Sequence, residues 1–258
     1  MAVNVNVVYQ TVLLILNKEQ RGYITPQEFN DIGSQVQLEI FEKYFEDLNQ
    51  QLRVPQTDTD YSDRVLNIDE KMSIFKTSGV STYDNSTSYP FWSLPSVDIF
   101  SQNVELSRIG VITYQPTNGE PTEIQRLQRN DFYNIEKSKL TKSTEKFPTY
   151  LLENSRIFIN PKTIDNTSGS INIDFIRTPL SPIWGFTVGN LGQYIYDFTN
   201  FNDNVFPNTC SRDFELDSNE QTNIIIRILK YSGVVINDPA IVQAATQEVA
   251  KKEINEKS

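Results

Sequence analysis

Histidine is absent from this chain of 258 residues, and cysteine occurs once, at Cys210. Without histidine there is no Cys–His or Ser–His pair to activate a nucleophile, and no zinc site of the His/Cys kind. A single cysteine closes no internal disulfide and fits a reducing compartment. Phosphate-cradling loops are missing as well: neither G-x-x-x-x-G-K-[ST] nor G-x-G-x-x-G occurs, and Gly185, Gly189 and Gly192 follow a different spacing. There is no G-x-S-x-G. Long apolar runs are lacking too. The stretch from Val7 to Leu16 is interrupted by Tyr9, Gln10 and Thr11, and falls short of the about 20 residues that cross a bilayer. No positive charge precedes it as in a secretory leader. These absences predict a cytosol-made protein with no membrane association, no catalytic residue and no cofactor.

Positive charge is also scarce. Lys and Arg number 23 against 33 Asp and Glu, which leaves a net charge of −10 and a pI near 4.6. A dedicated nucleic-acid binder needs a basic surplus to displace phosphate counterions. The nearest basic stretches, Arg126 to Arg129 and Lys137 to Lys146, are diluted by Glu136 and Glu145 and read as solvated faces.

What is present is an ordinary hydrophobic fraction of 38%, ample for a core in one large or two small domains. Asn, Thr, Ser, Tyr and Phe are plentiful, a balance that favours strands and polar loops. The expected fold class is α+β, with helical zones at both termini packed with a central antiparallel, loop-rich β region. The zones are 1–55, 56–216 and 217–258, with the two ends forming one helical subdomain.

The amino-terminal zone predicts a helix over about 4–18, ended by Gly22. The next helix has a complete start signal: Thr25 to cap, Pro26 at the first position, Glu28 for a capping box, and Ile24 with Phe29 as a hydrophobic staple. It should run to about Leu52. Phe29, Ile32, Val36, Ile40 and Tyr44 make one apolar stripe. Leu38, Phe41, Phe45, Leu48 and Leu52 make a second, which a surface helix does not need. They are therefore expected at a subunit interface, unless the helix lies deep in the core.

The middle zone predicts strands at 65–68, 104–114, 123–127, 156–160, 171–177, 193–199 and 213–216. One hairpin turns at Asn118-Gly119. A second is expected at 166–169, between Arg156–Asn160 and Ile171–Ile176. A short helix follows Asn130 with Phe132 and Ile135 inward. Residues 55–63 and 77–89 read as long surface loops. In the last zone Asp217 or Ser218 caps a helix with Ile224, Ile225, Ile228 and Leu229 inside, ended by Gly233. Asp238 and Pro239 start another.

Candidate chemistry is thin. Asp213 and Glu215 lie two apart, a spacing that puts a glycosidase-like pair on one face of a strand, but acidic chains always offer such pairs. Asp58-Thr-Asp60-Tyr-Ser62-Asp63 begins like a calcium loop, yet Asp63 stands where Gly is wanted and Asp69 where Glu is wanted. No metal site is assigned. Aromatics are in excess: Tyr89, Phe91 and Trp92, then Trp184, Phe186, Tyr194, Tyr196, Phe198, Phe201 and Phe206 before Cys210. Such clusters fill cores and interfaces or stack on sugars. Trp184, Tyr194 and Tyr196 join the expected interface set.

Several segments resemble structural proteins of crAss-like phages of gut Bacteroidales. They are Asn17-Lys-Glu-Gln-Arg-Gly-Tyr-Ile-Thr-Pro-Gln-Glu-Phe-Asn30 and Gln37-Leu-Glu-Ile-Phe-Glu42 near the start, then Lys146-Phe-Pro-Thr-Tyr150, Ile157-Phe-Ile-Asn-Pro161 and Phe175-Ile-Arg-Thr-Pro-Leu-Ser-Pro-Ile-Trp184 in the middle. Towards the end come Asp213-Phe-Glu-Leu216, Gly233-Val-Val-Ile-Asn-Asp-Pro239 and Gln243-Ala-Ala-Thr-Gln247. The likeness is to neck or tail ring proteins, the head–tail connectors of short-tailed phages. It implies a homo-oligomeric ring in the virion, assembled in the host bacterial cytoplasm. It also implies contacts with the portal and other neck or tail proteins, and a conduit for genomic DNA at ejection without specific binding. An acidic lumen suits that role, since a basic one would hold the passing duplex. The alternative is a carbohydrate- or receptor-binding virion module built on the aromatic clusters.

Overall fold

A computed structural model describes residues 2–18, 23–51, 64–87, 89–95, 97–99, 102–104, 106–197 and 211–235, with 243, 246–248 and 250–251 beyond. The fold is α+β, with helices and predominantly antiparallel sheets. It divides into two compact units, Met1–Ile74 with Pro179–Ser258, and Phe75–Thr178. The divisions therefore fall at 74/75 and 178/179, not at the expected 55/56 and 216/217. Residues 64–74 are helical, and 179–216 belong to the unit that holds the helices.

The first unit contains α1 (Val5–Lys18), α2 (Pro26–Gln51), α3 (Arg64–Met72) and α5 (Gln221–Val235). α1 buries Val5, Val8, Val12 and Leu16, the three-and-four spacing of an amphipathic helix. Its amino terminus is capped from far along the chain, where Asp213 Oδ1 accepts from the Val5 amide at 2.8 Å. α2 starts as its signals say. Thr25 and Glu28 exchange capping bonds, the Thr25 amide donating to Glu28 Oε2 at 2.9 Å and the Glu28 amide to Thr25 Oγ1 at 3.3 Å. The Thr25 amide first, and then the Thr25 hydroxyl, which donates to Glu28 Oε2 at 2.8 Å, hold the Glu28 carboxyl below its usual range. Ile24 and Phe29 are both buried.

α3 and α5 both pack on α2, and α5 also packs on α1. Glu39 of α2 ties to α5, accepting from Arg227 Nη1 at 3.2 Å and from the Tyr231 hydroxyl. Lys71 of α3 meets the buried Glu220, just before α5, at 2.7 Å. α3 replaces the strand expected at 65–68. Val65, Ile68 and Met72 stand at helical spacing, and Met72 is buried. α5 runs on through Gly233, which was expected to end it. Gly22 and most of the second carboxy-terminal helix lie outside the described residues.

Gln37 carries an expectation of its own. It is 1% exposed, donating Nε2 to the Leu180 carbonyl at 2.8 Å and accepting from the Glu215 amide at 2.9 Å. Gln37→Leu would leave both backbone groups without that partner, so a loss of about 2–4 kcal/mol is expected in urea unfolding. A loss below about 0.5 kcal/mol would count against this clasp.

The second unit holds two sheets. One has the order β1 (Lys76–Val80), β11 (Gly169–Arg177), β6 (Leu106–Pro116), β7 (Thr122–Glu123). The other runs β2 (Thr82–Asp84), β3 (Phe91–Ser93), β10 (Arg156–Asn160), β9 (Thr149–Glu153), β8 (Gln125–Arg126), the last pair parallel. A small pair, β4 (Val97–Ile99) with β5 (Gln102–Val104), and α4 (Arg129–Lys137) complete it. Ile112, Tyr114, Ile171, Ile173 and Phe175 of the first sheet share one core with Trp92, Tyr150, Ile157 and Ile159 of the second. That is the inward-facing alternation of two packed sheets. α4 lies where the helix after Asn130 was expected, with Phe132 buried and Ile135 half-buried.

The Asn118-Gly119 hairpin is present as β6 against β7. The second expected hairpin is not. β10 pairs with β9 and β3, whereas β11 pairs with β6 and β1, so residues 161–168 cross between sheets. The turn that reverses β10 lies on its other side, at Asn154 and Ser155, both at positive φ (51° and 58°), as a two-residue hairpin requires. Gly169 serves close approach: a Cβ there would collide with the Gln115 carbonyl oxygen of β6. The expected loop 77–89 is partly strand, since β1 and β2 form the edges of the two sheets.

Candidate functional site

A concave feature lies in the first unit, around the segment that leads into β12 (Phe186–Val188) and β13 (Tyr194–Tyr196). Trp184 anchors that segment. Asn30 of α2 clasps its backbone from both sides: Oδ1 accepts from the Trp184 amide at 2.7 Å, and Nδ2 donates to its carbonyl at 3.3 Å. The indole Nε1 donates to Asn6 Oδ1 of α1 at 3.0 Å. Its ring packs against Tyr9 at 4.4 Å, Tyr196 at 5.5 Å and Phe186 at 6.0 Å, the last two stacked. Trp184 is therefore the floor of the site, only 4% exposed.

β12 and β13 form an antiparallel arm, with Phe186 opposite Tyr196 and Val188 opposite Tyr194. The arm is closed at its base by the Asp197 amide on the Gly185 carbonyl at 3.0 Å. At its tip the Gly189 amide donates to the Gln193 carbonyl, and Gly192 takes φ +80°. Phe186, Val188, Tyr194 and Tyr196 share one face of the arm by strand alternation. Phe186 and Tyr194 meet edge to face at 5.0 Å.

Between this face and α1 opens a cleft of about 610 Å³. Its aromatic wall is Tyr9, Tyr23, Trp184, Tyr194 and Tyr196; Asn6, Gln10, Leu13, Gly192 and Gln193 complete the lining. None of these residues carries a formal charge. Tyr9 donates its hydroxyl to the Ile24 carbonyl at 3.2 Å, and burial pushes that hydroxyl far above the usual tyrosine range. The lining can stack on an apolar face and donate amide hydrogens. Among the described residues it offers no carboxylate or amine for proton transfer.

The expected interface residues separate into two places. Trp184, Tyr194 and Tyr196 come together in the cleft, with Tyr194 at the rim, 41% exposed. On α2, Leu38 is also 41% exposed. Phe41 and Phe45 are not interface residues: they are 1% and 5% exposed, edge to face at 5.1 Å within the chain itself. α3 and α5 both pack on α2, and Phe41 and Phe45 are buried within the chain by itself. Leu48 is half-buried, and Leu52 lies outside the described residues.

Other candidates take structural places. Asp213 caps α1, and Glu215 Oε2 accepts from the Leu180 amide at 2.8 Å. No strand spans 213–216; Phe214 makes one isolated bridge with Val3. Phe91 and Trp92 are buried. Cys210, Phe198, Phe201, Phe206 and the Asp58–Asp63 loop lie outside the described residues. Among the described residues no cluster of three acidic or cysteine side chains is placed to hold a metal, and no helix is long and apolar enough to cross a membrane.

Sequence reasoning missed Asn6, Asn30 and Tyr9 as builders of the cleft. Tyr9 continues the inward stripe of α1 and reads as core. The two asparagines are surface-like in pattern, with nothing local to mark their partners more than 150 residues away. No family model matches the chain, and no curated protein sequence matches it.

Proposed function

We propose that the chain is a structural subunit of a bacteriophage virion, a ring-forming head–tail connector of the neck or tail. It would be assembled in the host cytoplasm and would border a conduit through which genomic DNA passes at ejection. The observation that carries this reading is the β12–β13 arm. It is hydrogen-bonded and anchored on Trp184, yet holds out Val188, Leu191 and Ile195 at 63%, 92% and 48% exposure. Apolar side chains held in water on an ordered element mark a contact surface. The resemblance in chain order from Asn17 to Gln247 supplies the kind of assembly, and the net charge of −10 suits a conduit.

Native mass measurement of the protein alone and mixed with its portal tests this. A defined ring on the portal is expected, and Val188→Asp with Leu191→Asp should abolish it while circular dichroism stays native. A chain that stays monomeric with the portal would sink the reading. The ring should not shift duplex DNA in gels at low ionic strength, because phosphate repulsion adds over copies and fades as salt screens it. Micromolar binding lost in Arg126→Glu with Arg129→Glu would remove the passive-conduit part.

A second reading, a carbohydrate- or receptor-binding virion module, is favoured by one observation: among the described residues the cleft is lined by aromatic and amide side chains with no formal charge. Neutral sugars are held by that combination. Titration with maltoheptaose or chitohexaose, followed by tyrosine and indole NMR signals, decides it. Saturable binding lost in Tyr194→Ala would favour this reading over the connector.

A further inference from the structure

The stretch from Lys137 to Phe147 is a positive island in an acidic chain, with four lysines and one acidic residue, Glu145. Lys137, Lys139, Lys142 and Lys146 are all exposed. The stretch continues directly from α4, and Lys142 Nζ folds back to within 3.8 Å of Glu136 Oε2 on that helix. The Thr144–Phe147 bridge makes its end a tight turn. Leu140 is 97% exposed and Phe147 77% exposed, with Tyr133 of α4 at 51%. Large apolar side chains set among lysines are costly to leave in water and suit an acidic partner with an apolar centre.

α2 displays such a surface. It carries six acidic residues and one basic residue. Its solvent side presents Asp31, Gln35, Leu38, Glu42, Glu46 and Asn49, all exposed and recurring every three or four positions. Leu38 is the exposed apolar residue of that side, with acids on either hand. The two surfaces thus match in charge sign and in having apolar centres.

We infer that the Lys137–Phe147 surface of one copy docks on the acidic outer face of α2 in a second copy. Because the two surfaces differ, the contact is heterologous, and the pair keeps one free surface of each kind. Repetition then closes a ring when the rotation allows it. The inference deepens the connector reading by naming its subunit-to-subunit contact, but its test needs neither portal nor phage. Charge pairing of this sort steers association and fixes register, while the apolar centres hold the contact.

Two variants test it, both in the full chain and both on exposed positions. Lys139→Glu with Lys142→Glu removes the basic surface; Glu42→Lys with Glu46→Lys removes the acidic one. Sedimentation of the wild type at low salt should show self-association that weakens as salt rises. Each variant alone should associate at least about 100-fold more weakly, with native circular dichroism. Mixed together, the two should regain association, since the intact island of one meets the intact α2 face of the other. Association that survives both variants overturns the assignment of surfaces. A wild type that stays monomeric overturns self-docking, while the connector reading still stands or falls on its portal experiment. Salt-sensitive binding of the wild type to duplex DNA or to phosphatidylserine vesicles, lost in the Lys139→Glu, Lys142→Glu variant, would assign the island to an anionic polymer or membrane and also overturn the inference.

Discussion

Phe41→Asp is expected to abolish the folded state of the helical unit, not merely an assembly contact. Phe41 is 1% exposed, with its ring edge-on to Phe45. Truncating a buried phenylalanine costs about 3–5 kcal/mol. An aspartate in the same place adds desolvation of a carboxylate, several kcal/mol more unless it takes up a proton. A domain of this size holds only about 5–15 kcal/mol in reserve. Loss of helical circular dichroism at 25 °C and neutral pH is the expected result. Leu38→Asp, three positions earlier and 41% exposed, should stay folded with a change of about 0.5 kcal/mol. A native-like Phe41→Asp whose melting point falls only a few degrees would return this residue to an interface. The two variants separate what sequence spacing had joined in one stripe.

Trp184→Ala should cost about 3–5 kcal/mol in urea unfolding and loosen the β12–β13 arm. The indole is the shared neighbour of Tyr9, Tyr196 and Phe186, and its loss also takes the donor from Asn6 Oδ1. Trp184→Phe keeps much of the ring contact and loses the hydrogen bond, so a cost of about 1–2 kcal/mol is expected. The chain has two tryptophans, so indole fluorescence in either variant reports Trp92 alone, in the other unit. An unchanged Trp92 spectrum, with altered Tyr194 and Tyr196 NMR signals, would place the damage at the arm. A total cost for Trp184→Ala below about 1 kcal/mol would mean the arm is anchored elsewhere.

Legibility followed the range of the signal. The α2 start could be read from six residues, because cap, proline, capping box and staple act within one turn of each other. β10 and the Asn118-Gly119 hairpin were equally local. The 65–68 segment failed because a short apolar run is common to strands and helices; Met72, one turn beyond, was the missing clue. The 166–169 turn failed differently. Turn-forming residues mark a change of direction but not which strand comes next, and the chain here passes to another sheet.

The cleft shows the same limit. Its aromatics were visible as a cluster in the sequence, but the asparagines that seat Trp184 were not, since an amide on a helix surface looks alike whether it meets water or a distant backbone. By itself the sequence determined the helices at both ends, the α+β class, and the absence of histidine-based chemistry. Periodicity, capping and composition are properties of neighbouring residues, and neighbours are fixed by the chain. Only the tertiary structure decided which strands pair, where the units divide, and that Phe41 and Phe45 lie inside while Leu38 lies outside. Strand edges offer the same amides and carbonyls to any partner. The burial of a stripe on α2 depends on what packs against that side of the helix, a question that no window along the chain contains.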